Sequence, residues 1–186
     1  MFNISNKLLL VVLSLVVSLF PISGFSIANA KSFNESEVKV AYIYKIAKYV
    51  EWPAEANLST DSLHICLLGK SRYMQPFDLL EGKQVGKRSI RITKLFDDYA
   101  NAMVKDPCHM VYVAMDHKVF WSEWKDSDAL SHALVISFDL SLRGEGGIIL
   151  FDTKDQHVKF FIDISEARKR GFNFRAQLLE VAEIIK

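Results

Sequence analysis

Short apolar runs recur through the middle of the chain. LHICLLG (Leu63–Gly69), HMVYVA (His109–Ala114) and ALVISF (Ala133–Phe138) are each nearly continuous in branched and aromatic residues. Runs of that length and composition predict strands buried on both faces. The segments between them carry helical or half-exposed patterns. Phe77–Leu80 suits a short helix ended by Gly82, and VGKRSIRITKL (Val85–Leu95) alternates partly, as a more exposed strand does. Asp97–Val104 reads as a helix opened by acids, and VFWSEWKDSDAL (Val119–Leu130) as an amphipathic helix. Strand and helix in alternation imply a parallel sheet with helices on its faces.

Beyond residue 140 the rhythm changes. GIILF (Gly147–Phe151) and VKFFIDI (Val158–Ile164) flank a polar TKDQ turn and predict an antiparallel hairpin. Ser165 is placed to cap a closing helix, Gly171 interrupts it, and Arg175–Ile185 has the pattern of a last amphipathic helix. The predicted fold is therefore α/β. It is a single compact domain with a mixed, mostly parallel sheet flanked by helices, a C-terminal β-hairpin and a closing helix.

The strongest helical pattern comes first. Asn34 serves as N-cap with Glu37 three residues on, Phe33 and Val38 fit a hydrophobic staple, and Pro53 sets an end near Trp52. On a wheel of about 100° per residue, Val38, Val40, Tyr42, Ile43, Ile46, Ala47, Tyr49 and Val50 share an arc roughly 200° wide. So wide an arc predicts packing against more than one neighbour, with Tyr42, Ile43, Ile46, Tyr49 and Val50 in the core. Lys39 falls inside that arc, where it either snorkels or faces a groove or partner. Lys39, Tyr44, Lys48 and Trp52 at the Pro53 exit form the candidate partner or ligand surface.

The N-terminus has a different character. Lys7, the apolar run Leu8–Phe20, the breakers Pro21 and Gly24, and Ala28-Asn29-Ala30 read as a Sec-type signal peptide over residues 1–30, with residues 31–186 exported. The run is short for a membrane span, and no cysteine follows it to carry a lipid. Lys7 is the only charged residue there, so its removal takes the formal net charge from +1 to zero. A neutral domain with no second long apolar run offers no electrostatic case for nucleic acid and no means of direct membrane insertion.

The chemistry is sparse. Cys66 and Cys108 are the only cysteines, and an even count in an exported chain favours one disulfide. It would close a loop of about 43 residues and contribute roughly 4 kcal/mol by chain entropy. His64, Cys66, Cys108 and His109 could instead form a two-His, two-Cys zinc set, although His109 and Cys108, adjacent on a strand, point to opposite faces. Free thiols are the third reading. RGEGG (Arg143–Gly147) fits neither dinucleotide nor P-loop spacing and reads as a tight turn. No G-x-S-x-G or H-E-x-x-H is present. Asp97-Asp98, Asp152 and Asp155 sit at helix starts or turns, and His117, His132 and His157 have no spacing to a nucleophile. No enzyme, cofactor or metal site is expected.

Several segments, taken in order, resemble the YfiR-like periplasmic proteins: VKVAYIYKIAKYVEWP, HICLLG, PCHMVYVA, LVISF, and GGIILF…VKFFIDISEARKRGFNFRAQLLEVAEII. The likeness runs from about Val38 to Ile185. Departures fall in the C-terminal half, at Asp163, Arg175-Ala176 and Asp139–Arg143, and a second cysteine pair found in some relatives is absent. The resemblance implies a compact α/β sandwich, often a homodimer, in which Cys66–Cys108 is the structural disulfide. It implies a periplasmic inhibitor that binds the periplasmic sensor region of an inner-membrane diguanylate cyclase, lowering cyclic-di-GMP and biofilm formation. An OmpA-like outer-membrane lipoprotein is an expected further partner. The alternative reading from the residues is a periplasmic small-molecule-binding module that reports to a sensor kinase or transporter, with aromatics caging the ligand.

Overall fold

The computed structural model describes residues 34–56, 61–96, 103, 105–114, 121, 122, 124–154 and 157–186, which belong to one compact unit. The expected signal peptide, the Phe33 half of the staple, most of the expected Asp97–Val104 helix, His117 and Asp155 lie outside the described residues.

Helix α1 (Glu35–Tyr49) is capped as its sequence predicts, the Asn34 side chain accepting from the Ser36 N–H. It ends three residues before Trp52. Val50–Glu51 form strand β1 instead, paired antiparallel with β9 (Asn173–Phe174). The Arg175 N–H bonds to the Tyr49 carbonyl at 3.0 Å. A partner strand thus satisfies backbone groups that a further helical turn would have used.

Among the described residues the main sheet has eight strands in the order β10-β8-β7-β6-β5-β2-β4-β3, with β10 (Glu183–Ile185) at one edge and β3 (Gln84–Val85) at the other. Its parallel centre comprises β4 (Arg88–Leu95), β2 (Ser62–Leu68), β5 (Met110–Val113), β6 (Leu134–Ser137) and β7 (Ile149–Lys154). Strand β8 (His157–Asp163) runs antiparallel to β7 in the expected hairpin. The segment expected as one exposed strand from Val85 is two: β3 (Gln84–Val85) folds back on β4 through Gly86, whose φ of 62° residues with side chains rarely adopt.

Alternation along the buried strands separates two cores. Leu63, Ile65, Leu67, Met110, Tyr112, Leu134, Ile136, Ile149 and Phe151 pack beneath α1. Cys66, Leu68, Val111, Val113, Val135 and Leu150 pack on the other face with Trp121 and Leu130. Both faces are covered, which is why these strands read as unbroken apolar runs.

The C-terminus departs from the expected long helix. Asp163, not Ser165, caps α2 (Ile164–Lys169), accepting from the Ser165 and Glu166 N–H groups. After β9 comes only a four-residue helix, α3 (Ala176–Leu179), and β10 (Glu183–Ile185) pairs parallel with β8. The edge of β8 offers ladder partners to Glu183–Ile185, and the sequence pattern carries no trace of that offer. RGEGG is the expected turn. Gly146 has φ 90°, and a Cβ on Gly147 would lie 2.7 Å from both Leu142 Cβ and Leu150 Cδ2.

Candidate functional site

Two clefts open on either side of α1. The first, of about 790 Å³, lies between α1, the 3₁₀ segment Arg72–Leu80 and α3. Val40, Tyr44, Leu80, Phe160 and Leu178 give it an apolar lining, and Lys45, Lys48 and Lys83 stand on it with Glu37 as the one acid. Leu79 and Val181 on its walls are 58% and 65% exposed, the two most exposed large apolar side chains described. Tyr44 donates its hydroxyl to the Gln84 carbonyl at 2.8 Å, and the Lys48 ammonium sits 5.4 Å from the Tyr44 ring centre. The arrangement suits an apolar object carrying negative charge.

The second cleft, of about 520 Å³, opens at the carboxyl ends of the parallel strands. From β2 the chain moves outward to β4, then crosses back to β5 on the far side of β2. At such a reversal, loops leave neighbouring strands in opposite directions and a crevice results. Lys70–Tyr73 after β2, Tyr112 on β5, Phe138-Asp139 after β6 and Asp152-Thr153 on β7 line it. Its floor is aromatic: Tyr112 and Phe138 centre 4.6 Å apart, and Phe138 meets Phe151 edge-on at 5.5 Å.

Lys39 lies in that second cleft and is 4% exposed. Its ammonium donates to the Phe138 carbonyl at 2.8 Å and pairs with Glu35 at 2.6 Å. The Lys39 hydrogen bond, then that from the Thr153 hydroxyl, holds the Glu35 carboxyl below its ordinary range. The lysine inside the apolar arc thus bridges α1 to the loop after β6.

Trp52 lies elsewhere again, its ring edge-on to Phe172 at 5.7 Å and to His109 at 6.3 Å. The four residues singled out from sequence therefore do not converge. Tyr44 and Lys48 share the first cleft, Lys39 is in the second, and Trp52 lines neither. Lys45 was legible as a neighbour of Lys48 on the polar side of the wheel. Leu79, Lys83 and Val181 come from separate segments, and nothing local marks them. Arg170 was also missed. It is 8% exposed and its guanidinium donates to the carbonyls of Leu130 at 2.9 Å and Gly146 at 3.3 Å, tying α2 to two loops. Burial lowers its pKa.

On the far face of the sheet, Cys66 and Cys108 form a disulfide with Cα atoms 5.8 Å apart. His64 sits against it. Its Nε2 is 3.4 Å from Cys66 Sγ and 2.8 Å from Thr93 Oγ1, while Nδ1 is 3.0 Å from the Pro107 carbonyl and 3.6 Å from Asp106 Oδ1. Burial, chiefly, pushes the His64 pKa down. Asp106 is gripped by Arg91 through two bonds of 2.7 and 2.9 Å, which lowers its pKa. His109 does not join the group: its Nδ1 accepts from the His64 backbone N–H at 2.8 Å. Thr93, His64 and Asp106 form a hydroxyl–imidazole–carboxylate row outside both clefts.

Comparison with protein families finds that the model of a family described as YfiR/HmsC-like matches residues 36–183. That span covers everything from the second residue of α1 to the first of β10. No curated protein sequence matches the chain.

Proposed function

This chain belongs to the YfiR/HmsC-like family, and on that premise we propose that it is a periplasmic regulatory protein which binds and represses the periplasmic sensor region of an inner-membrane diguanylate cyclase. Export through a cleaved signal at residues 1–30, a homodimeric state and sequestration by an OmpA-like lipoprotein belong to the same reading. No helix among the described residues is long and apolar enough to cross a membrane. In this reading the contact is with the enzyme's periplasmic part. The family membership carries the proposal.

The lysine-flanked apolar cleft beside Tyr44 and Lys48 is the face that best suits a protein partner. An amphipathic segment with acidic residues would bury its apolar side against Leu79, Leu178 and Val181 and meet Lys45, Lys48 and Lys83 with its charge. Deleting the gene should raise cellular cyclic-di-GMP and surface attachment. A Lys45→Glu/Lys48→Glu chain, both positions being exposed, should fold normally yet fail to restore repression. Unchanged cyclic-di-GMP on deletion, with no inner-membrane sensor co-purifying, would overturn the proposal.

The second cleft favours one other reading. A crevice at the carboxyl ends of parallel strands, floored by aromatics and carrying Lys39, Lys70 and Arg72 against Glu35, Asp139 and Asp152, has the position and the mixed polarity of a small-molecule site. Thermal shift across amino acids and nucleotides separates the two, because a true ligand raises the melting temperature with its concentration.

A further inference from the structure

We propose that the chain, once its disulfide is reduced, binds one zinc ion through His64 Nε2, Cys66 Sγ and Cys108 Sγ. The proposal stands apart from the regulatory reading and from both clefts.

The ligand atoms of these three buried residues already lie within 4.8 Å of one another. The imidazole has the tautomer the site needs, and a small turn away from Thr93 would bring Nε2 to the ion. Nδ1 faces the Pro107 carbonyl at 3.0 Å, so the ring proton belongs there and Nε2 is left as the acceptor, taking the Thr93 hydroxyl at 2.8 Å with Cys66 Sγ 3.4 Å away. A ligating histidine characteristically donates its other N–H to a carbonyl or carboxylate in this way, which fixes tautomer and ring angle. Thr93 Oγ1, 2.8 Å from Nε2, is the nearest oxygen for a fourth position.

The charge balance selects the metal. Two thiolates and one divalent ion sum to zero, as a closed, buried site requires, whereas a monovalent ion would leave a buried negative charge. Thiolate and imidazole together are zinc's preferred donors. Tetrahedral coordination with Zn–S bonds of about 2.3 Å places two sulfurs roughly 3.8 Å apart, so the half-cystines must separate. Cys66 is fixed inside β2, between β4 and β5. Cys108 precedes β5 in a stretch without regular structure and can yield. The neighbouring residues Lys105, Asp106 and Pro107 are exposed, which gives the ion a short route inward.

The chemistry balances with a dithiol reductant. It gives two electrons and two protons by thiol–disulfide exchange and becomes a disulfide itself; Cys66 and Cys108 become thiols. Zinc then displaces both thiol protons to solvent. Because the oxidised pair has no thiolate to offer, zinc and disulfide exclude one another, and zinc must shift the exchange equilibrium toward the dithiol.

The test uses the mature chain, reduced with dithiothreitol, desalted without oxygen and titrated with zinc alone under equilibrium dialysis. One equivalent should bind to the reduced chain and none to the oxidised chain. Cobalt in place of zinc should give a thiolate-to-metal charge-transfer band. His64→Gln keeps an amide near the Nε2 position and should leave the oxidised protein's melting temperature close to the wild type. It should weaken zinc binding by about tenfold or more, since even outer-shell partners act on that scale. At a fixed ratio of reduced to oxidised dithiothreitol, added zinc should lower the disulfide fraction. The proposal fails if the reduced chain takes up no zinc, if the oxidised chain binds it equally, or if His64→Gln binds unchanged. It fails too if the reduced chain loses its structure and zinc does not restore it.

Discussion

Replacing both half-cystines by alanine tests whether the disulfide stabilises this fold through its unfolded state. Cys66 and Cys108 are 42 residues apart in sequence, and β2, which holds Cys66, is already the sheet neighbour of β5, which begins two residues after Cys108. The crosslink therefore adds little to native geometry and acts mainly by closing a loop in the unfolded chain. The chain-entropy relation gives about 4 kcal/mol for a loop of that size. Both sulfurs are buried, at 0% and 5% exposure, so their removal adds a smaller packing loss. Alanine is preferred to serine because a hydroxyl at either site would enter an apolar cluster. For a domain whose total stability is about 5–15 kcal/mol the loss is severe, and melting should fall by roughly 8–16 °C. Urea unfolding followed by tryptophan fluorescence, with a chelator present, measures it. The midpoint should fall and the m-value should rise, because an uncrosslinked chain exposes more surface. A variant within about 1 kcal/mol of the wild type would refute the entropic argument. So would a large loss with an unchanged m-value, since that pattern belongs to native packing alone.

Other substitutions probe the first helix and the glycine turn. Lys39→Met fills the same space but orphans the buried Phe138 carbonyl, and should cost about 1–3 kcal/mol in urea unfolding. Glu35 gives a pH signature. Its folded pKa lies below its unfolded one, so its contribution is complete above the unfolded value of about 4.3 and is lost as pH falls through the folded value. Melts taken downward from about pH 5 should show that loss in the wild type and a flatter profile in Lys39→Met; identical profiles would show that the pair is not coupled. Gly147→Ala drives a methyl to 2.9 Å from the Leu142 carbonyl oxygen and closer still to two leucine side chains, and should destabilise by about 1–3 kcal/mol. A neutral result would mean that the turn has room to move.

Much of this protein was legible locally. The parallel strands β2, β5 and β6 announce themselves because burial on both faces demands unbroken apolar runs, and the β7–β8 hairpin because a short polar turn can only join adjacent strands. Asn34 marks the helix start because its side chain bonds within the same turn. What failed was set by partners distant in sequence. Tyr49 ends α1 because β9 pairs with Val50, and Glu183–Ile185 extends because β8 has an open edge. The candidate site shows the same division. The helical wheel found Tyr44 and Lys48 but not Leu79, Lys83 or Val181, and it placed Lys39 without showing where its charge goes. By itself, the sequence determined the layers of the fold and the availability of two cysteines for pairing, since periodicity and residue chemistry are carried by neighbours along the chain. Strand alternation already set His109 on the face opposite Cys108. Tertiary structure alone decided that α1 divides its polar residues between two clefts and that His64 stands against the sulfurs. Those facts depend on segments more than forty residues apart meeting across a sheet, and no local pattern encodes such a meeting.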